Sequence, residues 1–202
     1  MLWSILIAGI PERYHSAQPL LYSLLEKQSV ARMPDVELLY FMDNRRRSVG
    51  AKRNDLLRAA RGEYISFVDD DDLVADDYVR KIHEAIVAAR KHDEPTDVIC
   101  FPQRATLIQE GVVHECTYSL KNKERKLADG GEKNVLKWTG PPAHTMAWRT
   151  KLVYSLAVFP DKQFGEDVEW VDDACKHAKT EMLLDGPPLY LYNFDSKKTA
   201  TR

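Results

Sequence analysis

Four consecutive aspartates, Asp69–Asp72, follow the apolar run Tyr64–Val68. Like charges at that density repel, and some stay protonated unless a cation joins them. A divalent ion such as Mg²⁺ or Mn²⁺ relieves the repulsion, because hard cations take carboxylate oxygens and keep positions open for water or phosphate. On an extended backbone Asp69 and Asp71 would point one way and Asp70 and Asp72 the other. The plainer reading is a solvated acidic loop that caps the following helix. Just upstream the opposite charge collects in Arg45, Arg46, Arg47, Lys52, Arg53, Arg58 and Arg61. Lys52 and Arg53 fall near a helix start, where backbone N–H groups and basic side chains together favour a phosphate. Arg53 and Asn54 read equally as nucleotide contacts or as solvated surface. Arg58 and Arg61 read as a solvated face paired with the acidic run. A cation-binding acidic turn beside a basic helix start suits a nucleoside diphosphate bound through a cation.

Further candidates lie downstream. Glu166 and Asp167 follow Phe164-Gly165 at the start of a helical pattern. Acidic residues are favoured there as caps alone, and they are equally placed to act as a base. His144, after Pro141-Pro142-Ala143, reads as a metal ligand, a phosphate or acceptor contact, or a structural histidine. Trp138, Trp148 and Trp170 are candidates for stacking on a sugar, with core packing as the default. Tyr190 and Tyr192 read as packing residues of a final strand.

The elements that must position these residues alternate through the first two-thirds of the chain. Apolar runs at 3–9, 36–42, 64–68 and 97–101 read as buried strands, and apolar stripes predict helices over 16–28, 50–61 and 76–91. Asp76 and Asp77 then fall in a helix first turn, where they suit its dipole. Strand–helix–strand alternation predicts a mostly parallel sheet with covering helices, whose ligand site lies at the carboxyl ends of the strands. Asp43 and Asp69–Asp72 both sit at such ends. Residues 103–118 read as a hairpin around Glu110-Gly111, 121–132 as a charged, mobile loop, and 144–148 as a short strand. A helix follows Asp167 with Val168, Val171, Cys175 and Ala178 as its apolar face, then a strand over 189–194 and a basic tail over 197–202.

The 202 residues are 44% hydrophobic and 30% charged, with net charge −2. That balance excludes intrinsic disorder and a polybasic nucleic-acid or membrane-surface binder as a whole. No run reaches the roughly 18 apolar residues that span a bilayer. Cys100, Cys116 and Cys175 show no zinc spacing, and an odd, sparse cysteine count fits a reducing compartment, so a cytoplasmic protein is expected. No linker divides the chain, which predicts a single domain over 1–202, with a nucleotide-binding half over 1–101 and an acceptor and catalytic half over 102–202.

The stretch from Asp43 to Asp72, with Arg53-Asn54, Ala60-Arg61-Gly62-Glu63-Tyr64 and Asp69-x-Asp71, resembles the nucleotide-binding half of the family 2 glycosyltransferases. Phe159–Trp170, with Gly165-Glu166-Asp167, resembles the segment carrying that family's base. The resemblance implies a GT-A fold, a Rossmann-like α/β sheet with a small mixed β acceptor part. It also implies inverting transfer of a sugar from a nucleoside diphosphate sugar, usually a UDP-sugar, with Mn²⁺ or Mg²⁺. On this reading Asp43 meets the base, Ala8, Gly9 and Pro11 line its pocket, and Lys52, Arg53 and Asn54 attend the donor. Asp69 and Asp70 meet the ribose or diphosphate, and Asp71, with Asp69 and His144, serves the metal. Asp167, or its neighbour Glu166, takes the acceptor's proton. The acceptor would be a glycan, a lipid-linked sugar or a nucleic acid with modified bases. Asn44 stands where the family often has a second acid, which bears on base recognition. The same acidic cluster would also serve a nucleotidyltransferase or phosphohydrolase, and a non-catalytic nucleotide-sugar-binding module could keep the fold.

Overall fold

The computed structural model describes residues 1–91 and 95–195. The basic tail expected over 197–202 lies outside the described residues. The apolar runs form the strands β1 (Trp3–Gly9), β2 (Val36–Met42) and β3 (Tyr64–Phe67). β1 pairs in parallel with β2 on one side and β3 on the other, so that Trp3 lies between Val36 and Tyr64. Trp3, Ile5, Leu6 and Ile7 are wholly buried, as a continuous apolar run in a covered parallel sheet should be.

The intervening helices are α1 (Tyr14–Tyr22), which continues into a wider π turn over Ser23–Lys27, and α2 (Val49–Ala59). Ser48 caps α2 by accepting the Ala51 N–H at 3.0 Å. Beyond β3 the two-residue strand β4 (Leu73–Val74) leads to α3 (Tyr78–Ala89). Asp76 and Asp77 therefore precede α3 instead of occupying its first turn. Asp77 makes no side-chain cap bond and pairs with Lys81 at 2.9 Å.

The later strands are β5 (Val98–Cys100), β6 (Gln103–Leu107), β7 (Val112–Tyr118), β8 (Lys126–Asp129), β9 (Val135–Gly140), β10 (Ala147–Arg149), β11 (Glu181–Leu183) and β12 (Tyr190–Phe194). Two helices complete the chain, α4 (Thr150–Leu156) and α5 (Glu166–His177). The first sheet runs β11-β5-β10-β3-β1-β2, parallel except for β10. The second runs β4-β12-β6-β7-β9-β8 and is mixed. Strands cross between the sequence halves: β4 joins the second sheet, and β10 and β11 join the first. The chain passes from one sheet to the other through Asp69–Asp72, which lies between β3 and β4.

Three expectations for the last third are corrected, and one helix, α4, is not expected from the sequence. The segment read as a mobile loop contains β8, an edge strand with every residue exposed, whose charged sequence hides its pairing with β9. The strand expected over 144–148 begins at Ala147, because 141–146 is a turn closed by Met146 N–H on the Ala143 carbonyl at 3.1 Å. α4 is too short to reveal a period. In α5 the buried face is Trp170, Val171 and Ala174, while Val168 is 41% exposed. The Trp170 ring sets that orientation: it stacks on Phe159 at 4.7 Å and meets Trp148 at 5.6 Å and Phe67 at 6.1 Å, edge to face. This aromatic cluster joins the end of β3, just before the aspartates, to the first turns of α5.

Candidate active site

A cavity of 480 Å³ opens between the carboxyl end of the first sheet and one face of the second. Asp69–Asp72 form part of its wall. They make a tight turn, not an extended run, closed by Asp72 N–H on the Asp69 carbonyl at 3.1 Å. The two expected pairs still differ in surroundings. Asp70 and Asp72 are 1% and 2% exposed, while the side chains of Asp69 and Asp71 keep 28% and 31%.

Each carboxylate has its own environment. Asp69 accepts from Arg53 at 2.6 Å and lies 3.6 Å from His144 Nε2. Burial disfavours its charge, but Arg53 and His144 outweigh that and hold the carboxyl well below the usual range. Asp72 accepts from the Tyr190 hydroxyl at 2.6 Å and the Asn193 N–H at 3.1 Å. Burial and neighbouring Asp69 push its carboxyl up regardless. Burial also pushes Asp70 up to about 6, against the pull of Arg13. Arg13, at the end of the 3₁₀ turn Pro11–Arg13, reaches Asp70 at 3.0 Å and also pairs with Asp71.

The opposite wall is the start of α5. Gly165, at φ +70, takes the left-handed conformation that turns the chain into this helix. Glu166 is 5% exposed and is held by Arg53 at 2.5 Å. Arg53 therefore bridges Glu166 and Asp69, buried and flanked by the Phe67 and Phe159 rings at 5.8 and 5.6 Å. Burial pushes the Glu166 carboxyl up, countered by Arg53. Asp167 is more open, at 37% side-chain exposure, with His144 Nδ1 3.6 Å away. His144 stands between Asp69 and Asp167 and faces both.

The other sequence candidates divide. Ala8, Gly9 and Lys52 line the cavity. Lys52 is 2% exposed, donates to the Gly9 carbonyl at 3.1 Å and sits 3.4 Å from Asp43. Asp43 itself is not on the wall; it stands behind Lys52 and accepts the Arg47 N–H at 3.2 Å. Pro11 is also off the wall, where Ile10 takes its place. Asn54 is withdrawn altogether. Its amide donates to the Phe159 carbonyl at 2.8 Å and accepts the Phe159 N–H at 3.0 Å, so it fastens α2 to the segment leading into α5. Arg58 and Arg61 pair with Asp55 and Glu37 instead of the acidic run. Of the tryptophans, Trp148 and Trp170 are wholly buried, and Trp138 lines the cavity.

Sequence reading missed Arg13, Gln103 and the site role of Tyr190. An arginine in a turn after a strand has no distinguishing signal, and Tyr190 looks like any strand aromatic until Asp72 is placed against its hydroxyl. Among the described residues no three His, Cys, Asp or Glu side chains already converge as a metal cage. Both Asp70 oxygens and His144 Nε2 are nevertheless buried without a well-directed hydrogen bond. The Asp70 oxygens suit a hard cation that takes one or two carboxylates and completes its shell with water and phosphate, and His144 Nε2 adds a nitrogen donor in the same cavity.

The description "Glycosyl transferase family 2" matches residues 27–133, which includes the basic helix and the acidic turn. The chain belongs to this family. No curated protein sequence matches it significantly. Among solved structures, S. aureus TarS 1–349 in complex with UDP-GlcNAc is similar at TM-score 0.67 and 18% identity, covering 97% of this chain and 59% of that one. The same TarS fragment in complex with UDP gives TM-score 0.61 and 17% identity over 96% and 61%. The chain thus spans about three-fifths of the TarS fragments it matches. The likeness establishes the GT-A fold for this family 2 chain. The family match ends before His144, Glu166 and Asp167, so the reading of those residues rests on their geometry.

Proposed function

We propose that this chain is a metal-dependent, inverting glycosyltransferase that moves a sugar from a nucleoside diphosphate sugar, a UDP-sugar, to an acceptor hydroxyl. One observation carries the proposal. His144 lies 3.6 Å from Asp69 and 3.6 Å from Asp167, so the acidic turn and the start of α5 address one space. Donor diphosphate at the turn and acceptor hydroxyl at Asp167 would then meet across His144. The UDP-GlcNAc complex of TarS supports the donor class.

Asp71 and Asp69 are the carboxylates that would hold a divalent cation, with His144 beside them. When bound, that cation neutralises charge developing on the leaving diphosphate. Arg13 and Lys52 supply fixed positive charge on the same wall. Asp167 is the general base: it is open to the cavity, whereas Glu166 is committed to Arg53. Glu166 and Arg53 position the turn against the helix. Asp167 takes the acceptor proton as the hydroxyl oxygen attacks the anomeric carbon and the diphosphate leaves from the other face.

The test is incubation of the purified chain with UDP-sugars and Mn²⁺, the products read by phosphorus NMR. UDP is the expected product. Pyrophosphate or inorganic phosphate would instead identify a nucleotidyltransferase or phosphohydrolase, and UDP-sugar binding with no turnover under any acceptor would identify a binding module.

A further inference from the structure

The second sheet turns an aromatic face to the cavity, and nothing in the donor chemistry accounts for it. Residues paired side by side across strands share a face of the sheet. Tyr190, Gln103, Cys116 and Trp138 form one such row across β12, β6, β7 and β9. Tyr190 stands in the row beside the acidic turn, where its hydroxyl meets Asp72. Trp138 lies three strand spacings along it, roughly 14 Å at about 4.8 Å per step, with Leu127 of β8 beyond. Trp138 therefore looks into the same cavity from well beyond the carboxylates that attend the diphosphate.

The indole is held in place from behind. A Cβ on Gly140 would come within 2.3 Å of the Trp138 ring, so the ring lies directly over this glycine. The Tyr118 ring braces it at 4.9 Å. Trp138 and Tyr118 are each partly exposed and both line the cavity. Beside them the Tyr118 hydroxyl donates to Gln103 Oε1 at 2.9 Å, and Gln103 Nε2 donates to Thr145 at 2.5 Å. A carboxamide has two N–H groups and two lone pairs on its oxygen, so these two bonds leave the buried Gln103 amide, which lines the cavity, one further donor and one further acceptor. Arg125 also borders the cavity, with its charge paired to Asp172 at 3.1 Å.

We infer that the Trp138–Tyr118 face is a saccharide subsite that takes a pyranose ring of the acceptor. A pyranose presents an apolar C–H face ringed by hydroxyls. The C–H face suits the negative face of a fixed indole, and the hydroxyls suit the neutral amide and phenol beside it. The assignment rests on the transferase reading for the word acceptor, but the subsite itself does not.

The test begins with tryptophan emission. Trp3, Trp148 and Trp170 are wholly buried, which leaves Trp138 as the partly exposed reporter. Methyl pyranosides and short gluco-, galacto- and N-acetylglucosamine oligosaccharides are titrated with UDP present, and binding is repeated by saturation-transfer NMR on Trp138→Ala. Saccharides should shift the emission, and the NMR contacts should vanish in the variant. With the responding saccharide as acceptor, Trp138→Ala should raise its KM roughly tenfold with kcat within about twofold, and Trp138→Phe should fall between. Unchanged circular dichroism and UDP affinity show that the fold persists. UDP-sugar binding with no saccharide response, or a response to single-stranded oligonucleotides alone, overturns the inference. Saccharide binding at Trp138 in a chain that binds no UDP-sugar keeps the subsite and overturns the transferase reading. Silence in both titrations overturns both.

Discussion

Where the first sheet ends, the cavity wall is made of charges that answer one another: Arg53 between Asp69 and Glu166, Arg13 on Asp70 and Asp71, Lys52 in front of Asp43. Where the second sheet faces the same cavity, the wall is Tyr118, Trp138, Tyr192 and Phe194, with Gln103 and Ala105 between them. The charged wall suits the invariant part of a donor, a diphosphate with its cation. The aromatic wall suits the variable part of an acceptor. Asp167 and His144 stand between the two. The comparison predicts that substitutions on the charged wall change chemistry and stability, and that substitutions on the aromatic wall change acceptor affinity.

The largest expected effect lies where the walls meet. Asp167→Asn keeps the shape and removes the proposed proton acceptor, so kcat should fall by about 10²–10⁴-fold while UDP-sugar affinity holds. Single-turnover transfer and calorimetric donor binding, measured on the same preparation, separate the two quantities. Wild-type transfer in Asp167→Asn would move the base elsewhere and dissolve the link between the walls.

Next comes Arg53→Ala. Removing one member of a buried ion network leaves the others unpaired, a loss of about 3–5 kcal/mol. Asp69 and Glu166 would face one another with no guanidinium between them, so urea unfolding should show a lower midpoint. A variant as stable as the wild type would mean that water or cations already screen these carboxylates, and that the charged wall is looser than its geometry. Asn54→Ala should cost less, about 1–3 kcal/mol, because it strands the Phe159 N–H and carbonyl without touching a charge.

The same contrast governs what could be read in the sequence. β1 is visible to the residue because a strand covered on both faces reads as a nearly continuous apolar run, and β2, an edge strand buried only at Val36 and Glu37, keeps the same apolar run from Leu38 to Met42. The acidic turn is visible because four aspartates have few structural uses. Arg53-Asn54 was legible as a pair but not as a division of labour, since only the fold shows that Arg53 faces inward and Asn54 turns to Phe159. The second sheet was hard to read for physical reasons. Its β8 edge is fully exposed and charged, and its aromatic face is a property of register across β12, β6, β7 and β9. Residues far apart in sequence make that face, so no local pattern announces it.

The smallest effect has the opposite sign and tests the charged wall from within. Neighbouring aspartates differ in direction: Asp69 is held below the usual carboxylate range, and burial pushes Asp70 up to about 6 from 3.8. For Asp70 the folded chain binds more protons than the unfolded chain between about pH 4 and about pH 6, so this residue lowers stability as pH rises through that window. The ionised carboxylate is then a standing cost at neutral pH, offset in part by Arg13 at 3.0 Å. Asp70→Asn removes the cost and should stabilise the metal-free chain near neutral pH by about 1–2 kcal/mol, roughly 2–6 °C in Tm, with the gain shrinking toward about pH 4. Asp69→Asn should do the reverse, because it discards a carboxylate whose charge the fold favours through Arg53 and His144. Melting curves in chelator across this pH range check both signs at once. Equal shifts in the two variants would show that the turn titrates as one acidic patch, whereas opposite shifts show that Asp69 is held by its cations and Asp70 is strained by burial.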